Sequence, residues 1–146
     1  MRGYFEIGIY NGKHEVNIGT LWRSAYQMGA TGIFTIGKRY KQQCSDTCKT
    51  FRHIPLRNYL TLDEMFLQIP LGAQLIGIEM GGENLTEFAH PQRAIYLLGA
   101  EDSGLPDEAL GKCHHVIEIP SIRTQSFNVA VAGSIVMYDR LIKGLL

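Results

Sequence analysis

The amino-acid sequence has no hydrophobic run long enough to cross a membrane, since no stretch of about 18 consecutive apolar residues occurs in it. Its first ten residues also lack the apolar core of a secretory signal peptide, so we expect no cleaved leader. It contains three cysteines, an odd number that does not suit a disulfide framework. These absences predict no transmembrane helix and a cytoplasmic location with reduced thiols.

The sequence also has no excess of charge of either sign, because 14 Lys and Arg balance 14 Asp and Glu. This balance argues against a protein that binds nucleic acid through bulk charge alone. The charge is uneven, however: residues 38–57 carry six basic side chains against Asp46 alone, a local charge of +5. Such a segment can attract a phosphate backbone or can be a solvated surface loop, and Lys38, Arg39 and Lys41 are its candidate RNA contacts.

Motifs of several large enzyme classes are missing. There is no G-x-G-x-x-G turn and no G-x-x-x-x-G-K-[ST] loop, which disfavours a dinucleotide enzyme and a P-loop nucleotidase. The G-x-S-x-G turn of serine hydrolases is also absent. Cys44, Cys48 and His53 match no common zinc spacing, so we expect no metal, and Cys113 is interpreted as an ordinary, partly buried thiol.

What the sequence does have is a regular alternation of strand-like and helix-like segments. Runs rich in β-branched and aromatic residues predict strands, and apolar residues at helical spacing predict helices. This order predicts an α/β domain with a mostly parallel sheet and helices on both of its faces. The predicted strands are 4–10, 31–36, 54–60, 73–78, 94–98 and 116–119, and the predicted helices are 18–28, 61–68, 106–110 and 126–142.

Several element boundaries carry local signals. Asn17 is a candidate N-cap for the first helix, and Gly29 is a candidate left-handed residue after its end. Thr61 and Glu64 have the spacing of a capping box at the start of the second helix. The Gly81-Gly82 pair predicts a turn soon after the fourth strand.

Three segments carry more chemical information than the rest. The first places Asn17 and Arg23 on one amphipathic helix, where an arginine is costly unless an anion uses it or its side chain reaches the surface. The second runs from a buried strand into a loop that contains Gly99, Glu101 and Gly104. Loops at the carboxyl ends of parallel strands are where α/β sheets bind ligands, and an ordinary acidic turn is the alternative.

The third segment leads from a strand into the last helix. Ile119 and Pro120 end the strand, and the chain enters the helix through Ser126 and Asn128. The small residues that open this helix permit a close approach of its backbone to a ligand or to a neighbouring element. Capping of the helix is the alternative role for Ser126 and Asn128.

Taken in this order, the three segments resemble the motifs of the SpoU (TrmH-like) class of SPOUT RNA methyltransferases. The patterns of that class are N-x-G-x-x-x-R-x-A, G-x-E-x-x-G-L-P, and I-P followed by S-x-N-V-x-A. The resemblance spans residues 17–138, and its one mild departure is Phe127, where Leu or Met is commoner. The matching residues are Asn17, Gly19, Arg23, Ala25, Gly99, Glu101, Gly104, Leu105, Pro106, Ile119, Pro120, Ser126, Asn128, Val129 and Ala132.

The resemblance implies one methyltransferase domain over residues 1–146, with a deep trefoil knot in about residues 76–146. Members of the class bind S-adenosylmethionine in the knot and methylate a ribose 2′-hydroxyl in RNA, typically as homodimers. Larger members carry an N-terminal RNA-binding extension, which we do not expect here because the first strand begins at about residue 4. That minimal form resembles the enzymes of the tRNA wobble position, so tRNA is the expected substrate.

The resemblance also implies roles for individual residues. It puts Arg23 near the target 2′-hydroxyl or its adjacent phosphate, where a cation stabilises a developing alkoxide. The catalytic set that it implies is Arg23, Asn17, Glu101, Ser126 and Asn128. The implied cofactor pocket contains Ile78, Gly99, Ile119, Ser126 and Asn128, and the implied RNA contacts are Arg23, Lys38, Arg39 and Lys41.

Four alternatives stay open from the sequence. The same reaction can act on ribosomal RNA instead of tRNA. Methylation of a guanine base is a second alternative, against which the residues of the first and third motifs argue. A catalytically silent RNA-binding protein of this fold is a third, and intact Arg23, Glu101 and Asn128 argue against it. A flavodoxin-like binding domain is the fourth, but no phosphate-cradling loop follows the first strand.

Overall fold

The computed structural model describes residues 3–37 and 53–145. In this part of the chain, strands and helices alternate as the hydrophobic pattern predicts, and six strands form one sheet in the order β3-β2-β1-β5-β4-β6. Every pair of neighbouring strands runs parallel. The strands are β1 (Tyr4–Tyr10), β2 (Gly32–Ile36), β3 (Leu56–Tyr59), β4 (Gln74–Asn84), β5 (Arg93–Leu98) and β6 (His115–Glu118).

Helices cover both faces of the sheet, which confirms the predicted α/β class. They are α1 (Glu15–Met28), α2 (Leu62–Gln68), α3 (Asp107–Lys112) and α4 (Val129–Leu145), with a short 3-10 turn at Leu85–Glu87. Residues of α1 and α4 share one apolar core with one face of the sheet. Residues of α2 and α3 share a second core with the other face. None of the described helices combines the length and apolarity that crossing a membrane requires.

The central strands β1 and β5 are buried on both sides, as their nearly continuous apolar sequence requires. Helices α1 and α4 pack against each other on one face. Their close approach depends on Gly133, because a Cβ at this position would lie 2.5 Å from a methyl carbon of Leu21 and 3.0 Å from one of Leu98. The small residues at the start of α4 therefore fix the helix directly on the sheet and on α1.

Two of the predicted end signals are confirmed. Gly29 adopts the left-handed conformation at the end of α1, with φ of 90°, and its N–H donates to carbonyls of the last turn. Thr61 accepts a hydrogen bond from the Glu64 N–H at 3.1 Å, and the Glu64 carboxylate accepts one from the Leu60 N–H at 2.7 Å. Thr61 therefore caps the second helix as predicted, whereas the Glu64 carboxylate pairs with the N–H of Leu60, one position before the Thr61 N–H that a capping box uses.

The predicted starts of the first and last helices are wrong by a few residues. Helix α1 begins at Glu15, so Asn17 lies inside the helix instead of capping it. Helix α4 begins at Val129 and not at Ser126, because Asn128 supplies its cap. In both cases an asparagine makes a hydrogen bond across the fold that local sequence signals do not contain.

The predicted turn at Gly81-Gly82 is also wrong, because β4 continues through it to Asn84. Both Ile78 and Glu83 pair with Ile117 of β6, so the residues between them leave the ladder as a bulge and the strand then resumes. A Cβ at Gly82 would lie 2.6 Å from the Val116 carbonyl oxygen, so the glycine permits the two strands to stay close at the bulge. The trefoil knot expected for residues 76–146 stays a prediction.

Candidate active site

A cavity of about 280 Å³ opens at the bulge of β4 and at the ends of β5 and β6. This is the carboxyl edge of the parallel sheet, where α/β proteins bind ligands. Four of the five residues predicted for the cofactor pocket line it, namely Ile78, Gly99, Ile119 and Ser126. The cavity thus assembles residues that lie up to 48 positions apart in the sequence.

Gly99 and Gly104 give the loop after β5 its shape. Ala100 and Gly104 form an antiparallel bridge, in which the Gly104 N–H donates to the Ala100 carbonyl at 3.0 Å. A Cβ at Gly99 would lie 2.2 Å from the carbonyl carbon of Gly104, which leaves no room for any side chain. Gly104 itself has φ of 65°, a conformation that favours glycine. Both glycines are therefore required for the turn that walls the cavity.

A chain of hydrogen bonds joins the three motifs beside this loop. The Asn17 Nδ2 group donates to Glu101 Oε1 at 2.8 Å. The Asn128 Nδ2 group donates to Asn17 Oδ1 at 3.1 Å. Asn17 is 7% exposed, so its amide is buried between the two partners. One residue of each motif therefore takes part in a single polar network.

Asn128 uses its other amide atom to begin α4. Its Oδ1 atom accepts hydrogen bonds from the N–H groups of Ala130 at 2.9 Å and Val131 at 3.2 Å. The capping role that the sequence offered as an alternative is thus present, and the same side chain also contacts Asn17. Capping and site assembly are two functions of one amide, which has both a donor and an acceptor end.

Glu101 lies against the N-terminal end of α1. Its carboxylate accepts hydrogen bonds from the backbone N–H groups of Lys13 at 2.9 Å and His14 at 3.4 Å, besides the Asn17 amide. Partial burial alone would raise the pKa of this carboxyl, but the hydrogen bonds together hold the pKa below its ordinary value. Glu101 is therefore a fixed negative charge at neutral pH, and the ammonium group of Lys13 pairs with the neighbouring Asp102.

Arg23 lies apart from the other predicted catalytic residues. Its side chain is exposed, and among the described residues it is not part of the cavity lining. It follows Asn17 by six positions, about one and two-thirds helical turns along α1. Lys38, Arg39 and Lys41 lie outside the described residues, as do Cys44 and Cys48. The structure thus brings together Asn17, Glu101 and Asn128, and it leaves Arg23 on the surface of the same helix.

Two further carboxylates line the cavity that the sequence analysis missed. Glu79 follows Ile78 at the end of the regular part of β4, and Glu118 ends β6 and accepts a hydrogen bond from the Gly81 N–H at 3.2 Å. A sequence signal for both was present, because each carboxylate lies at the end of a segment predicted as a buried strand, where parallel sheets bind ligands. The side chains that line the cavity include these two and the acidic pair Glu101 and Asp102.

This lining suits a cationic ligand of moderate size. Carboxylates attract positive charge in a partly enclosed site, and the apolar side chains of Ile78, Leu98 and Ile119 provide flat contact surface beside them. Within residues 3–37 and 53–145, no group of three or more His, Cys, Asp or Glu side chains is arranged to hold a metal ion. The acidic side chains beside apolar ones fit an organic cation that also has an apolar part.

Comparison with known proteins identifies the family. The sequence profile described as the SpoU rRNA Methylase family matches residues 5–138, and the chain belongs to this family of SPOUT RNA methyltransferases. The class that the three motifs predicted is thereby confirmed. S-adenosylmethionine is the cofactor of SpoU methyltransferases. It is a sulfonium cation with an adenosine body, a character that the cavity lining suits.

A curated relative and two solved structures illustrate the similarity. An uncharacterized tRNA/rRNA methyltransferase of Archaeoglobus fulgidus is 25% identical over 142 residues, which are 93% of this chain and 63% of the relative. An AdoMet-bound rRNA methyltransferase from Sinorhizobium meliloti is 25% identical with a TM-score of 0.85, over 100% of this chain and 58% of that one. The chain therefore spans about three fifths of the length of these two proteins.

The second of the two solved structures is similar to this chain over nearly its whole length. It is described as giving structural insights into the 2-OH methylation of C/U34 on tRNA, and it is 24% identical with a TM-score of 0.83. The alignment covers 97% of this chain and 98% of that chain. These similarities confirm the α/β fold.

Proposed function

We propose that the protein transfers a methyl group from S-adenosylmethionine to a ribose 2′-hydroxyl of RNA, and that the RNA is a tRNA. The observation that carries this proposal is the hydrogen-bonded chain Glu101–Asn17–Asn128 beside the cavity, because it unites one residue from each motif of the SpoU pattern. The preference for tRNA is supported by the tRNA 2-OH methylation structure, which is similar over nearly all of both chains.

The residues of this chain would bind and orient the reactants. In this proposal residues 1–146 are one methyltransferase domain, whose part from about 76 to 146 binds the cofactor. S-adenosylmethionine supplies an activated methyl group on a sulfonium. The Gly99 turn, the bulge of β4 at Ile78 and the end of β6 would hold its adenosine through backbone groups. Glu101 would provide negative charge near its cationic part.

Arg23 would act on the ribose and not on the cofactor. A ribose hydroxyl is a weak nucleophile, and its attack on the methyl group develops negative charge on the oxygen. A guanidinium ion stays protonated at neutral pH, so Arg23 would stabilise that charge or the adjacent phosphate instead of accepting the proton. Its exposure is consistent with a group that meets the RNA from outside the cavity.

We further propose that the protein works as a homodimer. Val16 and Arg23 are seven positions apart on α1 and therefore share one face of this helix, and Val16 is 65% exposed. On the neighbouring α4, Val131 and Tyr138 are also seven positions apart and are 46% and 53% exposed. A second copy that covers these side chains would pool two basic segments of residues 38–57 for RNA, including Lys38, Arg39 and Lys41.

Labelled methyl transfer tests this proposal. The protein is incubated with methyl-labelled S-adenosylmethionine and total RNA from cells that lack its gene, and the labelled nucleosides are identified by mass spectrometry. The expected product is a 2′-O-methyl nucleoside in the tRNA fraction. Label in ribosomal RNA would reassign the substrate, label on a base would refute ribose chemistry, and bound cofactor with no label on any RNA would favour a silent RNA-binding protein.

A further inference from the structure

The bulge in β4 presents Glu79 to the loop that walls the cavity. Ile78 and Glu83 both pair with Ile117, so Glu79 is the first of four residues that leave the β4–β6 ladder. A bulge changes the direction in which side chains project from a strand. Here the side chain of Glu79 reaches the loop after β5 and becomes partly buried there.

The Glu79 carboxylate is held at both of its oxygens. The Leu105 N–H donates to Oε2 at 2.8 Å, and the Met80 N–H donates to Oε1 at 3.0 Å. The second bond fixes the carboxylate relative to its own strand, and the first connects that strand to the loop. This contact also requires glycine at position 104, because a Cβ there would lie 2.3 Å from Glu79 Oε2.

The backbone that Glu79 holds is the same backbone that covers Gly99. The Leu105 nitrogen lies only 2.5 Å from the position that a Cβ on Gly99 would occupy, and the Gly104 carbonyl carbon lies 2.2 Å from it. Since Gly99 lines the cavity, a displacement of Gly104 and Leu105 would change the shape of the cavity wall. Glu79 therefore connects the bulge of one strand to the cavity formed at the end of the next.

We propose that Glu79 is a positioning residue for cofactor binding: its carboxylate holds the loop of residues 99–105 in the binding shape before S-adenosylmethionine arrives. A loop that is ordered in advance loses less conformational entropy on binding, so the ligand binds more tightly. This inference rests on the proposed location of the cofactor in the cavity. It gives Glu79 an effect through the loop backbone and requires no contact between Glu79 and the reacting atoms.

Two substitutions separate the hydrogen bond from the bulk of the side chain. Glu79→Ala removes the acceptor for the Leu105 N–H, and we expect the Kd for S-adenosylmethionine, measured by calorimetry, to rise about tenfold or more. Glu79→Gln keeps a carbonyl oxygen that can accept the same hydrogen bond. Its Kd should therefore be at least about threefold lower than the Kd of Glu79→Ala, a difference that corresponds to one hydrogen bond. Glu83→Ala is the matched control, because this exposed carboxylate lies on the same strand beyond the bulge.

Hydrogen exchange of the Leu105 amide gives a readout that needs neither cofactor nor activity. In cofactor-free Glu79→Ala, the Leu105 amide should exchange about tenfold faster than in the wild-type protein, while the amides of the core strand β5 should exchange at their wild-type rates. Should Glu79→Ala fail to fold, Glu79→Asp takes its place, because it keeps the charge but withdraws the carboxylate by one methylene. The Glu79→Asp variant is then expected to bind the cofactor more weakly than the Glu79→Gln variant does.

Two results would overturn the inference. One is wild-type exchange at Leu105 together with a wild-type Kd in Glu79→Ala or Glu79→Asp. The other is a Kd for Glu79→Gln as high as that for Glu79→Ala. An Ala132→Leu variant places a larger side chain in the cavity. It shows whether a negative result disproves the role of Glu79 or the proposed location of the cofactor. If Ala132→Leu weakens binding and the Glu79 variants do not, only the role of Glu79 is wrong; if Ala132→Leu also binds normally, the cofactor lies elsewhere.

Discussion

Asn17 and Glu101 are 84 positions apart in the sequence, and their side chains are joined by a hydrogen bond of 2.8 Å. Asn17 is buried, and the oxygen of its amide accepts from Asn128 while its nitrogen donates to Glu101. A buried amide that is satisfied at both ends has one preferred orientation. The relative positions of α1, the loop after β5 and the start of α4 are therefore coupled through one side chain.

Asn17→Ala should damage both stability and activity. It removes the donor to Glu101 and the acceptor for Asn128, so we expect the free energy of unfolding to fall by about 1–3 kcal/mol. Methyl transfer to RNA should fall at least about tenfold, because the three motifs lose their common contact. Urea unfolding and labelled methyl transfer measure the two effects. Gln68→Ala, which removes an exposed amide at the end of α2 on the opposite face of the sheet, is the control and should alter neither quantity appreciably.

Arg23→Ala should separate catalysis from cofactor binding. Because Arg23 is exposed and lies outside the described cavity lining, its removal should leave the Kd for S-adenosylmethionine within about twofold of the wild type. Loss of the cation should reduce methyl transfer by about 100-fold or more. Arg23→Lys keeps a charge without the planar fork and should retain intermediate activity. Equal loss of binding and transfer in Arg23→Ala would instead indicate a structural role.

The sequence predicted the sheet well and the polar contacts poorly. Hydrophobic period determines which segments are strands and helices, and this pattern is local, so β1, β2 and β5 were located to within one or two residues. The family resemblance named Ile78, Gly99, Ile119 and Ser126 as pocket residues, and these four line one cavity. An amide that caps a helix and one that contacts a distant carboxylate have the same local sequence, which is why Asn17 was taken for a cap.

The bulge in β4 illustrates a second limit of prediction from local sequence signals. Two consecutive glycines usually indicate a turn, because glycine tolerates positive φ, and Gly81 indeed has φ of 88°. Here the strand resumes, since Glu83 returns to Ile117 on β6. Pairing with a strand more than thirty positions away is a tertiary interaction that overrides the local turn signal. The site residue that depends on this bulge, Glu79, could be suspected from its place at a strand end but not assigned a partner.

The pH dependence of stability should report the charge of Glu101. Hydrogen bonds in the folded state favour its ionised form and lower its pKa from the ordinary value of 4.5. A depressed pKa in the folded state stabilises the protein above the pKa of the unfolded chain, and this contribution is lost as the pH falls through the folded pKa. The wild type should therefore exceed Glu101→Gln in unfolding free energy at about pH 6, and the difference should shrink below about pH 4.5.

Urea unfolding of both proteins at a series of pH values measures that difference. Glu108→Gln serves as the control, because Glu108 is an exposed carboxylate in the first turn of α3, away from the network of Asn17. The control should follow the wild type across the same range to within a few tenths of a kcal/mol. The prediction is wrong if the difference in unfolding free energy between the wild type and Glu101→Gln stays constant down to about pH 3. That result would show that the hydrogen bonds do not favour the ionised form of Glu101.

Neutralising Lys38, Arg39 and Lys41 together should weaken RNA binding in a salt-dependent way. Each lysine or arginine that contacts a phosphate releases counterions, so the slope of log K against log salt becomes shallower by about 0.7–0.9 for each lost contact. For the triple alanine variant we expect a change of about 2 in this slope and little change in the Kd for S-adenosylmethionine, as measured by filter binding and calorimetry. The control is Lys112→Ala, which removes an exposed lysine that pairs with Asp63. An unchanged salt slope in the triple variant would mean that the RNA docks on another surface.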